Sequence, residues 1–233
     1  MKNVSINNFI FGDSSSGEIV KRILSNQLAF PDANSGKNGL VLFGNYGSGK
    51  STLAPLLCEW IEFVRSACEM SVSPTITVVN SSSSNGTIAK IDQQSRVISM
   101  NESGIHYFIL DEADNMTVQA QQNLKGLMSA RSNCVFILTT NHKATIDKGV
   151  LNRSYELNMN PASPISYVTL LRNIALEMHN VRLSEAQLET VAKVGNGCWR
   201  NMLPALDLAC LKSNGASINL SAFQFPVSVK KGA

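Results

Sequence analysis

The sequence predicts an α/β fold: a phosphate-loop (P-loop) core with a parallel five-stranded sheet flanked by helices, plus a small all-helical lid domain. Three observations predict it. An apolar run, a glycine-rich loop and an amphipathic stretch follow one another directly between residues 39 and 64. Apolar runs and helical stretches then alternate to about residue 160, the order expected of a parallel sheet whose crossovers are helices. Beyond Pro161 and Pro164 the apolar spacing is helical only. The expected division is 1–160 for the nucleotide-binding core, 161–213 for the lid and 214–233 for a tail.

Taken in order, residues 1–38 hold one predicted helix, Gly17 to Gln27, and a polar loop, PDANSGKNG. GLVLF (39–43) reads as a buried strand. It runs into GNYGSGKST (44–52), which places Gly44, Gly49, Lys50 and Ser51 in the G-x-x-x-x-G-K-[ST] pattern. In that pattern glycines let backbone N–H groups turn towards phosphate oxygens, the lysine reaches the β- and γ-phosphates, and the hydroxyl ligates Mg²⁺. The candidate nucleotide-binding residues are therefore Gly44, Asn45, Tyr46, Gly47, Ser48, Gly49, Lys50, Ser51 and Thr52. A helix follows, with Leu53, Leu56, Leu57, Trp60, Ile61 and Val64 predicted on one face.

A second wall for such a site comes from HYFILDEAD (106–114), a buried strand ending in two carboxylates. Asp111, with Ser51, is the candidate metal ligand, and Glu112 the candidate base that orients and deprotonates an attacking water. A further strand, CVFILTT (134–140), ends at Asn141, whose side chain could reach the same water. In the lid, Ile165, Val168, Leu171, Ile174 and Met178 recur at helical spacing. Ser184 and Gln187 form a capping-box signature, and Gly195 with Gly197 is expected to end that helix.

Composition bounds the chain without naming a chemistry. At 233 residues, 44% apolar and 16% charged, it can bury one sizeable core and a small satellite. A net charge of +3 is too mild to mark a nucleic-acid binder. Nothing approaches the roughly 18 apolar residues of a membrane span, and MKNVSINNFIF lacks the apolar length of a secretory signal. A cytoplasmic location, or the interior of an infected cell, is expected, with no membrane partner. Five cysteines, an odd number mostly inside apolar patterns, suggest packed thiols rather than a disulfide framework. His106, His142 and His179 show no metal-ligand spacing, and Lys230 with Lys231 reads as a solvated tail.

These residues resemble the clamp-loader branch of the AAA+ ATPases, proteins that place sliding clamps on primed DNA, from about Phe9 to about Leu211. TVVNSSSSNG (77–86) is similar to the segment following their second strand, and FILDEADNMTVQAQQNL (108–124) to their Walker B strand and helix. FILTTN (136–141) is similar to sensor 1, and GNGCWRNMLPALD (195–207) to the lid helix whose sensor 2 arginine falls on Arg200. VLNRSYELNM (150–159) lies where the family carries Ser-Arg-Cys; the arginine falls on Arg153, here between Asn152 and Ser154. Asn45 and Tyr46 stand where Pro-Pro is common, at positions that contribute backbone.

The resemblance implies an ATPase using ATP and Mg²⁺, stimulated by DNA, with Glu112, Asn141, Arg153 and Arg200 as catalytic residues and Arg153 acting on a neighbouring subunit's ATP. It implies sequence-independent contact with DNA phosphates, for which Thr87 and Lys90, after the serine run 81–84, are the candidates. Asn80 would hold Glu112 inactive until DNA arrives. Other AAA+ subunits, same or different, and a sliding clamp or replicative helicase are the implied partners. Some bacterial relatives carry a four-cysteine zinc module, but only Cys58 and Cys68 lie in that region, so no structural zinc is expected. A C-terminal collar does not fit in the residues after the lid, so the chain is either part of a longer subunit or a compact relative. The expected function is a clamp-loader-like replication accessory ATPase, viral or plasmid-encoded; the alternative is an AAA+ helicase loader or small viral-type replicative helicase.

Overall fold

The computed structural model describes residues 6, 9–66, 73–80, 86–160 and 163–213. Helix α1 (Ser14–Leu24) precedes β1 (Gly39–Phe43), α2 (Lys50–Arg65), β2 (Ile76–Asn80), α3 (Gly86–Ser95), β3 (His106–Asp111), α4 (Val118–Ala130), β4 (Cys134–Thr140), α5 (Lys148–Asn152) and β5 (Ser154–Asn158). Three helices follow: α6 (Val168–His179), α7 (Glu185–Gly195) and α8 (Trp199–Ser213).

The five strands pair in the order β2-β3-β4-β1-β5, every pair parallel. Parallel neighbours need long crossovers, so helices cover both faces; β1, β3 and β4 are buried on both sides, while the edge strands β2 and β5 are only partly buried. Alternation along each strand divides the core in two. Leu40, Leu42, Tyr107, Ile109, Val135 and Ile137 pack against α1 and α2. Val41, Phe108, Leu110, Phe136 and Leu138 pack against α3, α4 and α5. Each fully buried side chain of this size contributes about 1.5–3 kcal/mol, so β4, buried along its whole length, anchors the sheet.

Three local expectations need correction. Helix α1 starts at Ser14 rather than Gly17, because Asp13 caps it by accepting the Ser16 N–H at 2.7 Å. It stops at Leu24 rather than Gln27, where Asn26 turns left-handed. The buried stripe of α2 is Leu53, Ala54, Leu57, Cys58, Ile61 and Glu62, while Leu56, Trp60 and Val64 lie at its margin. Small Ala54 and Cys58 let this helix lie close against its neighbours.

The lid stripe also breaks. Residues Pro164–Tyr167 form a 3₁₀ turn, tighter than an α-helix, so Ile165 falls out of phase and is 62% exposed. Met178 is exposed too; Val168, Leu171 and Ala175 carry the contact. The predicted capping box at Ser184 and Gln187 is formed. The end of α7 is made by left-handed Asn196 followed by Gly197, whereas Gly195 stays inside the helix as a close-packing position: a Cβ there would lie 1.8 Å from Met202 Cγ. Tyr167, Leu171, Leu188, Met202 and Leu206 form a cluster separate from the two on the sheet.

Cys68, the serine run 81–84, Pro161 and the tail 214–233 lie outside the described residues. Among the described residues, no helix is long and apolar enough to cross a membrane.

Candidate nucleotide site

The strand-to-helix turn between β1 and α2 sets up the site. Gly47 (φ 72°) and Gly49 (φ 97°) hold left-handed backbone that L side chains rarely adopt, and Gly49 caps α2 without any side-chain bond. The first turn of α2 thereby lines the cleft, the arrangement in which a helix N-terminus meets an anion. Asn160, just beyond β5, accepts the Asn45 N–H on its side-chain oxygen at 2.6 Å and pins the loop's start.

Lys50 is buried and folds back on the loop, its ammonium donating to Gly44 O and Asn45 O, both at 2.8 Å. Burial pushes its pKa below the ordinary lysine range; Asp114 and Asp111 oppose that shift and Arg200 adds to it.

The carboxyl ends of β3 and β4 supply the facing wall. Ser51 Oγ donates to Asp111 Oδ1 at 3.0 Å, and the Thr139 hydroxyl donates to the same oxygen. Glu112 has a left-handed backbone (φ 54°, ψ 49°), its N–H donates to Thr139 Oγ1 at 3.0 Å, and Asn115 Nδ2 donates to its carboxylate at 3.3 Å. Asn141 lines the same cleft.

The helical region closes the cleft from above. At the start of α8, the Trp199 N–H donates to Gly47 O at 2.8 Å, and the Trp199 ring meets Tyr167 edge-on with centroids 5.2 Å apart. A Cβ on Gly47 would meet Cys198 Sγ at 2.4 Å, so this glycine is also a point where the C-terminal helical region touches the loop. Arg200 lines the cleft together with Tyr46, Gly47, Ser48, Gly49, Lys50, Ser51 and Thr52. The cleft holds about 490 Å³, and Phe9, Leu170, Ile174 and Leu203 give it apolar lining as well.

Not every candidate lies here. Arg153 sits at the opposite edge of the sheet, before β5, where its Nε donates to Ser129 Oγ and its Nη1 to Gly149 O, both at 2.8 Å. Lys90 is exposed on α3; the Thr87 side chain lies outside the described residues. Asn80 pairs in register with Asp111 across β2 and β3.

The residues fit a magnesium nucleotide. A helix N-terminus beside a buried ammonium suits phosphates, and the apolar lining suits a base. A hydroxyl and a carboxylate sharing one bond form an all-oxygen set of the kind Mg²⁺ takes when phosphates complete its shell. Among the described residues no cluster of three or more His, Cys, Asp or Glu could hold a metal alone.

Sequence reasoning missed Thr139, the apolar lining and the Trp199–Gly47 bond. The alternation in CVFILTT marks Thr139 only as a polar strand residue; the other two join distant segments and leave no local signal.

Comparison with known proteins agrees with this geometry. The family model described as "ATPase family associated with various cellular activities (AAA)" matches residues 40–160, more than half of the chain. Replication factor C small subunit 2 of Pyrobaculum islandicum is 30% identical over 174 residues, covering 73% of this chain and 52% of that protein. Replication factor C subunit 4 of Encephalitozoon cuniculi is 28% identical, covering 76% and 55%. The chain thus spans about half the length of the curated relatives it matches. Among solved structures, the Thermotoga maritima RuvB Holliday junction branch migration motor superposes with a TM-score of 0.62 at 16% identity, covering 88% of this chain and 65% of that one. Caenorhabditis elegans PCH-2 does so at 0.54 and 14%, covering 89% and 71%. At such identities these two speak for the fold alone. Phosphate loop, paired acids and family match together place this chain in the AAA family of ATPases, with replication factor C small subunits as similar members.

Proposed function

We propose that the chain is a DNA-dependent ATPase of clamp-loader type acting in DNA replication. The observation that carries this reading is the convergence of Lys50, Ser51, Asp111, Glu112 and Asn141 on one cleft, with Arg200 brought to it by α8. We further take residues 1–160 as the nucleotide-binding core and 161–213 as its lid, a division supported by their separate apolar clusters.

In this reading the loop N–H groups and Lys50 hold the β- and γ-phosphates of ATP, Lys50 exchanging its two loop carbonyls for phosphate oxygens. Ser51 and Asp111 would hold Mg²⁺, which would supply positive charge against the phosphates. Glu112 takes a proton from the attacking water as its oxygen bonds the γ-phosphorus and the bond to the bridging oxygen breaks. Asn141 orients that water, and Arg200 offsets charge on the γ-phosphate. Arg153, on the far edge, faces away from its own cleft and acts on a neighbour's ATP, so the working form is an assembly. DNA phosphates, other AAA+ subunits and a sliding clamp are the proposed partners. The similarity to replication factor C small subunits supports them, as does exposed Lys90 on α3 for DNA.

Phosphate release from the wild type and Glu112→Gln, with and without primer-template DNA across a salt series, tests this. Glu112→Gln should bind ATP as the wild type does and turn over about 10²-fold more slowly. DNA should raise the wild-type rate, with the effect lost steeply as salt increases. Unchanged hydrolysis in the variant would remove Glu112 from the mechanism; a rate indifferent to DNA at low salt would remove the DNA role. Mixing Arg153→Ala with Lys50→Ala should restore part of the activity each lacks; no recovery from a protein that assembles with ATP would return Arg153 to the ordinary surface.

A further inference from the structure

We infer that the hydroxyl of Thr139 is a positioning group that fixes both acids of the site at once; this rests on the proposed ATPase reading. Asp111 and Glu112 are consecutive. In an extended strand their side chains would point to opposite faces, so two neighbouring acids can serve one cleft only if the backbone turns between them. It turns at Glu112, into left-handed backbone that a residue with a Cβ does not adopt freely.

Thr139 stands beside this turn, one residue past the Leu110–Leu138 pair of β3 and β4, and is buried. A hydroxyl has one proton and two lone pairs. The Thr139 proton goes to Asp111 Oδ1, the oxygen that also accepts from Ser51, and its lone pair takes the Glu112 N–H at 3.0 Å. Because the single proton is committed to Asp111, the oxygen is left free to accept from Glu112, and the two bonds do not compete. One side chain thereby ties the metal-ligand acid to the water-activating acid and holds the turn between them. Valine would fill the same space and make neither bond; serine would keep both. Thr139 itself need not touch the nucleotide.

Three measurements on Thr139→Val and Thr139→Ser, with Glu112→Gln as reference, test the inference. In the nucleotide-free protein, hydrogen exchange at the Glu112 amide should speed up about tenfold or more in the valine variant and stay near wild type in the serine variant. Single-turnover hydrolysis should fall about 10- to 30-fold in Thr139→Val, with MgATP affinity within about threefold of wild type and more Mg²⁺ needed for half-maximal rate. Thr139→Ser should hydrolyse within about twofold of wild type. Wild-type exchange and hydrolysis in Thr139→Val would overturn the proposal. So would equal losses in the valine and serine variants accompanied by a lowered melting temperature, since that marks a packing role. Should the wild type release no phosphate, the ATPase reading fails and this inference with it; should Glu112→Gln hydrolyse ATP normally, Glu112 leaves the mechanism and the coupling of two working acids goes with it; loss in Glu112→Gln beside normal Thr139→Val sinks the inference alone.

Discussion

Helix α2 buries a charge at each end, and the two are handled in opposite ways. Lys50 opens the helix at 7% exposure and Glu62 lies near its close at 3%. Both oppose the helix dipole, a cation at the positive end and an anion near the negative end. Glu62 is sealed from within: its carboxylate accepts the Ser103 N–H at 3.0 Å, the Tyr107 hydroxyl at 2.9 Å and the Ser103 hydroxyl. Its own burial and the neighbouring Glu62 push the Tyr107 pKa well above the ordinary range, so the hydroxyl stays a neutral donor to that carboxylate. Lys50 finds two loop carbonyls and, at 3.4 Å, Ser48 Oγ, with no carboxylate in ion-pair contact among the described residues, and burial still depresses its pKa. Burial alone therefore does not mark a functional charge. A buried charge whose neutral donors complete its needs belongs to the scaffold; one left short of counter-charge beside an open cleft is waiting for a ligand of opposite sign.

The largest effect is expected at Lys50. Lys50→Ala should weaken MgATP binding by about 10³-fold, the size expected for two charge-assisted contacts to phosphate. The nucleotide-free protein should melt no lower than wild type, because a desolvated ammonium has been removed. Titration calorimetry and a thermal melt read both, and equal ATP affinity in the two proteins would refute the ligand-waiting role.

Glu62→Ala should behave in reverse, costing roughly 3 kcal/mol of stability through an unfilled space and donors left without an acceptor, with ATP affinity within about threefold of wild type. Loss of nucleotide binding without loss of stability would make Glu62 a site residue after all. Glu62→Gln sharpens the point with a smaller effect. It keeps one acceptor oxygen, and the Tyr107 and Ser103 hydroxyls can reorient towards its amide, so about 1 kcal/mol is expected by urea unfolding.

Some of this was legible in residues alone. The phosphate loop, the acids at Asp111 and Glu112 and the strand ending at Asn141 are local patterns whose chemistry depends on near neighbours, and the structure gathers them in one cleft. The strands β1, β3 and β4 were legible because the middle of a parallel sheet is buried on both faces and writes near-continuous apolar runs, whereas edge strand β5, SYELN, is half-buried and writes none. Helix limits were less so. Asp13 sets the start of α1 through one side-chain oxygen, and the 3₁₀ turn before α6 shifts the phase of the apolar stripe, neither of which spacing reveals.

What the sequence by itself determined is the family of the site and the order of the elements, since a turn that bends N–H groups towards a phosphate needs glycines at set intervals and a strand before it. Only the tertiary structure decided which groups complete the site. It brings Thr139 between Asp111 and Glu112, sets the start of α8 on Gly47, and holds Arg153 against Ser129 at the far edge of the sheet. These are contacts between segments distant in the chain, made by packing three layers together, and no local spacing encodes them.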